Sequence, residues 1–412
     1  MHQFLAASTG RITHAYLQPQ PDDTIPRFDY ETHLGAMTGT EPHWPQSTRA
    51  VSELRLSLRV QPGGFMGSFS GPRTIHLDIV DYPGEWLLDL ALLDKSFDDW
   101  SEDVLGKVER RAEHASFKAA LAELPAAPDY DEPLAQRLAS TFTEGLKAAR
   151  EAGYADCTPG RFLLPGELEG SPVLTFAPMQ PGERGRKTLR REMERRYEAY
   201  KAKVVKPFFR DHFARLDRQV VLVDVLGAIH DGPQAVEATR ETMADILSAF
   251  RPGRNAWLSS LFLGRRVDRI LFAATKADHL HHAQHKRLSA IMEALTREAR
   301  DRARFAGAET AALSIASLRT TTETEIDHNG NQLLAVQGTT EQGKRAAFYP
   351  GELPEDPKRI LAPAREGADT WPFGEVEVMR FKPPVQNISP GDGPPHIRLD
   401  KAAEFLLGDR LP

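Results

Sequence analysis

Only one cysteine, Cys157, occurs in the 412 residues, which excludes an internal disulfide framework and a cysteine-based zinc site and points to a reducing compartment, the cytoplasm. No stretch approaches the roughly 18 uninterrupted apolar residues of a transmembrane helix. The opening MHQFLAASTGRITHAYL lacks the apolar run and small-residue cleavage site of a secretory signal. A dominant charge is missing as well: 52 Lys and Arg stand against 58 Asp and Glu, a net charge of -6, so nothing draws the whole molecule to nucleic acid or an anionic membrane. Internal repeats and long low-complexity tracts are also absent.

What is present reads as an α/β protein large enough for more than one core. Residues 53–60 (ELRLSLRV) alternate, residues 74–81 (TIHLDIVD) end in an acid, and the glycine-rich QPGGFMGSFSGPR between them predicts a β-hairpin. Three further apolar runs, at 219–226 (QVVLVDVL), 269–275 (RILFAAT) and 310–316 (TAALSIA), suit a sheet covered on both faces. Helical periodicity at 233–250 and 280–305 separates them, which predicts parallel strands with right-handed crossovers. From Trp86 to Leu216 only helices and loops are expected. Beyond Ser317 the pattern weakens: HNGNQ predicts a hairpin turn, EVEVMRF at 375–381 a strand, and residues 402–407 a short last helix.

The chemistry concentrates at two strand ends. LDIVDYPGEW delivers Asp81-Tyr82-Pro83-Gly84, a D-x-x-G element of the kind in which the carboxylate holds a Mg²⁺-bound water and the glycine brings its N–H to a γ-phosphate. Taken alone it is a weak pattern that also fits an ordinary strand-terminating turn. RILFAATKAD delivers Thr275, Lys276 and Asp278 in an [NT]-K-x-D arrangement, whose aspartate can accept hydrogen bonds from guanine N1–H and N2 that adenine does not offer. The order supports both, since a plain apolar strand and helix precede RILFAATKAD, and a helix and the strand TAALSIAS follow it. Ala316 and Ser317 then brush the base through backbone contacts. Thr48, in a loop before residue 53, fits a first-switch threonine on Mg²⁺, although by itself it reads as a plain loop residue. Glu85 stands where many such proteins place a water-orienting glutamine; as an acceptor-only group beside a polyanion it implies slow turnover or an outside catalytic group.

The run Asp81-Tyr82-Pro83-Gly84-Glu85-Trp86-Leu87-Leu88-Asp89, with PRFDY from Pro26, STRAVSELRL from Ser47, FAATKADH from Phe272, YPGE from Tyr349 and PHIRLDKAAEFLLGDRL near the end, resembles the YcjX family of bacterial proteins. The resemblance implies a GTP- and GDP-binding, GTP-hydrolysing P-loop protein that uses Mg²⁺, carries a helical insertion and is linked to the cell-envelope stress response. The expected fold is a GTPase-like doubly wound sheet, N-terminally incomplete, with a mainly helical insertion. Its parts are residues 1–86 (first part of the G domain, with the switch regions and strands 2 and 3), 87–215 (helical insertion), 216–320 (second part of the G domain) and 321–412 (an α+β extension packing on the G domain). The insertion is the expected docking element for an unknown protein partner.

The G-x-x-x-x-G-K-[ST] phosphate loop such proteins need does not occur. The nearest imitation, Gly182-Glu183-Arg184-Gly185-Arg186-Lys187-Thr188, has Arg186 between glycine and lysine and follows no strand. The loop is therefore expected upstream of Met1, and without it the chain should bind GTP poorly and expose an unpaired sheet edge. A non-catalytic interaction module on a degenerate G domain is the alternative. His281 and His285 have the spacing of a helical metal pair but lack an H-E-x-x-H glutamate, so a solvated helix start is expected there. The basic stretch 184–206 is laced with Glu192, Glu194 and Glu198 and reads as a salt-bridged face without nucleic-acid binding.

Overall fold

The computed structural model describes residues 4–46, 48–61, 71–182, 185–212, 215–248, 267–386 and 393–411, with side chains omitted at 247–248. The chain divides into two compact units: residues 1–81, 217–237 and 267–412 make the first, residues 82–216 and 238–266 the second. All described strands lie in the first. No described helix is long and apolar enough to cross a membrane.

Strands β1 (Ile12–Gln18), β2 (Ser52–Val60) and β3 (Arg73–Asp81) form an antiparallel sheet in that order. The predicted hairpin is present, running from Ser52 opposite Asp81 to Val60 opposite Arg73, while residues 62–70 of its turn lie outside the described residues. Leu58 and Val60 on β2 pack against Phe4, Ala6 and Leu411, so both ends of the chain close this sheet. β1 is not legible in the sequence, because ITHAYLQ is largely exposed and carries no buried alternation.

Strands β4 (Arg218–Val223), β5 (Arg269–Ala274) and β6 (Glu309–Ser314) form a parallel sheet with β5 in the middle. From Ile270 to Ala274 every residue of β5 is buried, as a strand covered on both faces requires. The helix His285–Leu295 packs on β5 and β6, and the last helix, Leu399–Leu407, brings Ala402 and its neighbours onto Leu271 and Ala273. The 219–226 run is shorter as a strand than predicted: Asp224 accepts a hydrogen bond from the Gly227 amide (3.0 Å) and caps a helix, Val225–Asp231, that takes Val225 and Leu226. The predicted helix at 280–305 is two, His285–Leu295 and Arg297–Phe305, separated at buried Thr296. The helix Pro233–Ser248 follows its prediction as far as the described residues go.

Strands β7 (Thr321–His328), β8 (Asn331–Thr339) and β9 (Arg345–Phe348) form an antiparallel meander. Its first turn is the predicted HNGNQ, with Asn329 and Gly330 at φ 55° and 80°, the pair of left-handed residues that a two-residue hairpin turn needs. EVEVMRF is not a strand. Only a single bridge joins Phe381 to Thr340, and the Phe381 ring lies so close over Gly338 that an added Cβ would come within 2.6 Å of it; side-chain packing has replaced the ladder.

The second unit contains helices and turns and no strand among its described residues. An aromatic core of Phe97, Trp100, Phe142, Phe176 and Tyr197 fills it, with Trp100 stacked on Tyr197 at 4.9 Å. The segment after the D-x-x-G run is anchored in this core. Trp86 is 2 % exposed, its indole N–H donates to the Leu164 carbonyl (2.9 Å), and the Arg161 guanidinium lies 3.2 Å over its ring. A Cβ at Gly160 would approach the Glu85 carbonyl to 1.9 Å, so the close backbone contact there requires glycine.

Asp89 is buried and accepts hydrogen bonds from the Gly160 amide (2.7 Å), the Arg161 amide (3.3 Å) and the Tyr200 hydroxyl. Burial outweighs these donors and pushes its carboxyl from 3.8 up to about 6. Because the folded value exceeds the unfolded one, the linked stability is fully present below about pH 4 and is lost as pH rises through about 6; the rise corresponds to about 3 kcal/mol. Asp89→Asn has no proton to lose. Urea unfolding between about pH 4 and 7 should therefore show wild type losing about 3 kcal/mol relative to the variant, and a pH-independent difference would contradict the assignment.

Candidate functional site

β3 carries Asp81 to its end, and the preceding loop brings Thr48 beside it: the Thr48 hydroxyl donates to Asp81 Oδ2 at 2.7 Å, with both residues half-buried. Magnesium prefers hard oxygen donors while keeping several waters, and a hydroxyl beside a carboxylate offers that donor chemistry, the hydroxyl directly and the carboxylate through a retained water. Gly84 is exposed, has an ordinary φ of -58°, and an added Cβ would meet nothing within 4 Å. Nothing in the described fold itself demands glycine at this position. Asp81 closes a segment of the first unit and Gly84 and Glu85 belong to the second. The Glu85 carboxylate pairs with Arg150 at 3.1 Å, which offsets its negative charge.

At the carboxyl end of β5 the chain turns sharply. The Thr275 amide donates to the Val223 carbonyl (3.0 Å), and Lys276 sits in the left-handed region at φ 58°, a conformation uncommon outside glycine, asparagine and aspartate. The Ala277 amide donates to the Ile315 carbonyl (3.0 Å) and the Lys276 ammonium pairs with Asp224, which together hold that turn. Asp278 is only 4 % exposed. Its Oδ2 accepts from the Thr320 amide (2.8 Å) and hydroxyl (2.6 Å), while the Thr321 hydroxyl donates to its carbonyl.

Beside this loop, Ala316 pairs with the C-terminal segment: its amide donates to Ile397 (3.1 Å) and its carbonyl accepts from Ile397 (2.8 Å), leaving Ser317 exposed. Arg398, at φ 56°, donates to the Ser314 carbonyl and hydroxyl and to His285 Nδ1. The structure thus gathers Thr275, Lys276, Asp278 and Ala316 at neighbouring strand ends, and Thr48 with Asp81 at another. Among the described residues no hydrogen bond or ion pair links these two groups.

Sequence reasoning missed Asp224, Thr320, Thr321 and Arg398. Asp224 could have been found as an N-cap, standing before an apolar stretch with Gly227 at the third helical position. Thr320 carries no local signal, because its partner lies 42 residues away. The solvated helix start expected at His281 and His285 is corrected. His285 is 3 % exposed, bonded to the Leu280 carbonyl (3.1 Å), and opens the helix, whereas His281 lies before it. In the 182–188 imitation, residues 183–184 lie outside the described residues, and Thr188 merely precedes the helix Leu189–Tyr200 in the second unit.

Comparison with known proteins identifies the lineage of this arrangement. The family described as "YcjX-like family, DUF463" matches residues 1–411. The chain belongs to the YcjX-like family. It is 37 % identical over 408 residues to the "Ras-like GTPase YcjX" of Escherichia coli, covering 95 % of this chain and 85 % of that protein. A Shewanella oneidensis protein of the same name is 35 % identical over 408 residues, covering 95 % of this chain and 82 % of that protein.

Removing the Thr320 hydroxyl takes one donor from the buried Asp278 carboxylate. Thr320→Ala should cost roughly 1–3 kcal/mol of stability, read as a lowered urea midpoint at unchanged m-value, whereas Ser at the same position should recover most of it.

Proposed function

We propose that the protein is a Mg²⁺-dependent guanine-nucleotide switch that binds GTP and GDP and hydrolyses GTP, acting in the cytoplasm within the cell-envelope stress response that its family implies. The observation that carries this reading is the loop after β5, where a left-handed Lys276 and an Asp278 oriented by Thr320 stand beside Ala316. In this reading Asp278 accepts from guanine N1–H and N2, the Lys276 stem covers the ring, and Ala316 and Ser317 border the base. Thr48 and Asp81 hold the magnesium, Asp81 through water; when bound, the ion neutralises charge between the β and γ phosphates. Gly84 offers its N–H to the γ-phosphate, and Glu85, neutralised by Arg150, stands beside it as the residue that orients water. The helical unit, into which residues 85–89 are locked, is the element that a protein partner reads.

No G-x-x-x-x-G-K-[ST] phosphate loop occurs among the 412 residues. Val220 and Leu222 on β4 are 43 % and 63 % exposed and Ile79 on β3 is 44 % exposed, although strands in a doubly wound sheet are normally covered. The chain by itself then binds GTP weakly. The alternative, a non-catalytic interaction module, draws on a different observation: Asp278 Oδ2 and the Ala316 amide already have internal partners.

Nucleotide titrations on a version extended by a G-x-x-x-x-G-K-[ST] segment should show GTP preferred over ATP, with Asp278→Asn erasing about 1.5–3 kcal/mol of that preference, or roughly 10–100-fold. Equal affinity for the two nucleotides would overturn base reading by Asp278, and tight GTP binding without phosphate release would favour the interaction module. Gly84→Ala should leave stability within about 0.5 kcal/mol of wild type yet slow GTP hydrolysis, since only an approaching phosphate needs that position bare. A melting temperature that drops with the activity would instead make Gly84 a structural residue.

A further inference from the structure

We propose that His281, His282 and Glu323 form a binding site for a divalent transition metal of the zinc class. Glu323 Oε2 lies 2.8 Å from His282 Nδ1 and 3.7 Å from His281 Nε2, and the three donor atoms all fall within 4.8 Å of one another. Ligands about 2.0–2.1 Å from a tetrahedral ion are about 3.3 Å apart, so the observed separations bracket the required one. No other grouping of His, Cys, Asp and Glu donors meets this condition among the described residues.

The donor set selects the ion. Two imidazoles and one carboxylate suit Zn²⁺, Co²⁺ or Ni²⁺, whereas Mg²⁺ and Ca²⁺ call for oxygen ligands throughout. Three protein ligands leave a further position for water.

The fold presents these groups together. His281 has an extended backbone and caps the turn His282–Gln284, and His282 follows it directly. Glu323 comes from β7, whose start is fastened to the same loop by the Thr320 and Thr321 bonds to Asp278. The His282 amide donates to Glu323 Oε1 at 3.0 Å, with Arg319 3.8 Å from that same oxygen. One carboxylate oxygen is thereby oriented and Oε2 is turned to the imidazoles, the arrangement by which outer hydrogen bonds set a metal ligand. An incoming ion takes the place of the imidazole protons facing Oε2. These protons move to the far ring nitrogens or to solvent, and the 3.3 Å contact from the Ala283 amide to His281 Nδ1 is given up. Affinity falls as pH is lowered, because protons compete for the same lone pairs. The site stands whether or not Asp278 reads a base.

EDTA-treated protein, titrated calorimetrically with Zn²⁺ and followed by visible absorption with Co²⁺, should take up one equivalent at this site and melt at a higher temperature with zinc. His282→Ala and Glu323→Gln should each weaken binding by about tenfold or more and abolish the zinc-dependent shift in melting, while His328→Ala, at an exposed histidine on the hairpin, leaves both unchanged. Circular dichroism and melting without metal verify that each variant is folded. Absence of stoichiometric uptake by wild type, or equal affinity in the His282 and Glu323 variants, would overturn the site.

Discussion

A carboxylate taken out of water must be met by donors, and in the first unit that requirement falls on Asp278. The Thr320 amide and hydroxyl supply them, and in doing so fix the connection between β6 and β7 onto the loop after β5. From this attachment the neighbouring geometry follows. Thr321 closes on the Asp278 carbonyl, β7 is set so that Glu323 meets the two histidines, and Ala316 is left beside the loop to pair with Ile397. The left-handed turn at Lys276 costs on the order of 1–2 kcal/mol, and it is held by the Ala277 bond to Ile315 and the ion pair with Asp224.

The second unit applies a similar constraint to the residues that follow the D-x-x-G run. Trp86 under Arg161, the Glu85 carbonyl against Gly160, and Asp89 beneath three donors anchor residues 85–89. The run that begins at Asp81 in one compact unit thus continues into a segment embedded in the other.

Much of this was legible in the amino-acid sequence, for a common reason. β4, β5 and β6 are short apolar runs between amphipathic helices, β2 and β3 flank a glycine-rich turn, and Asn329-Gly330 announces its hairpin; each is a pattern written within a few residues. The strand-end motifs at Asp81 and at Thr275 to Asp278 are local in the same sense. The failures also share a cause. EVEVMRF has a strand's composition, yet Phe381 is held by its ring over Gly338, and β1 has little buried alternation because its sheet is closed by residues from the two chain ends.

Taken alone, the sequence determined most of the element types, the parallel pairing of the three later apolar strands, the resemblance to the YcjX family and the strand-end motifs at Asp81 and at Thr275 to Asp278, because periodicity, turn chemistry and short motifs are local properties. Tertiary structure decided which groups satisfy one another: Thr320 on Asp278, Asp224 on Lys276, Arg150 on Glu85, and Glu323 against His281 and His282. Those pairings join residues tens of positions apart, and burial and hydrogen-bond demand, which select them, come into being only when the chain has closed on itself.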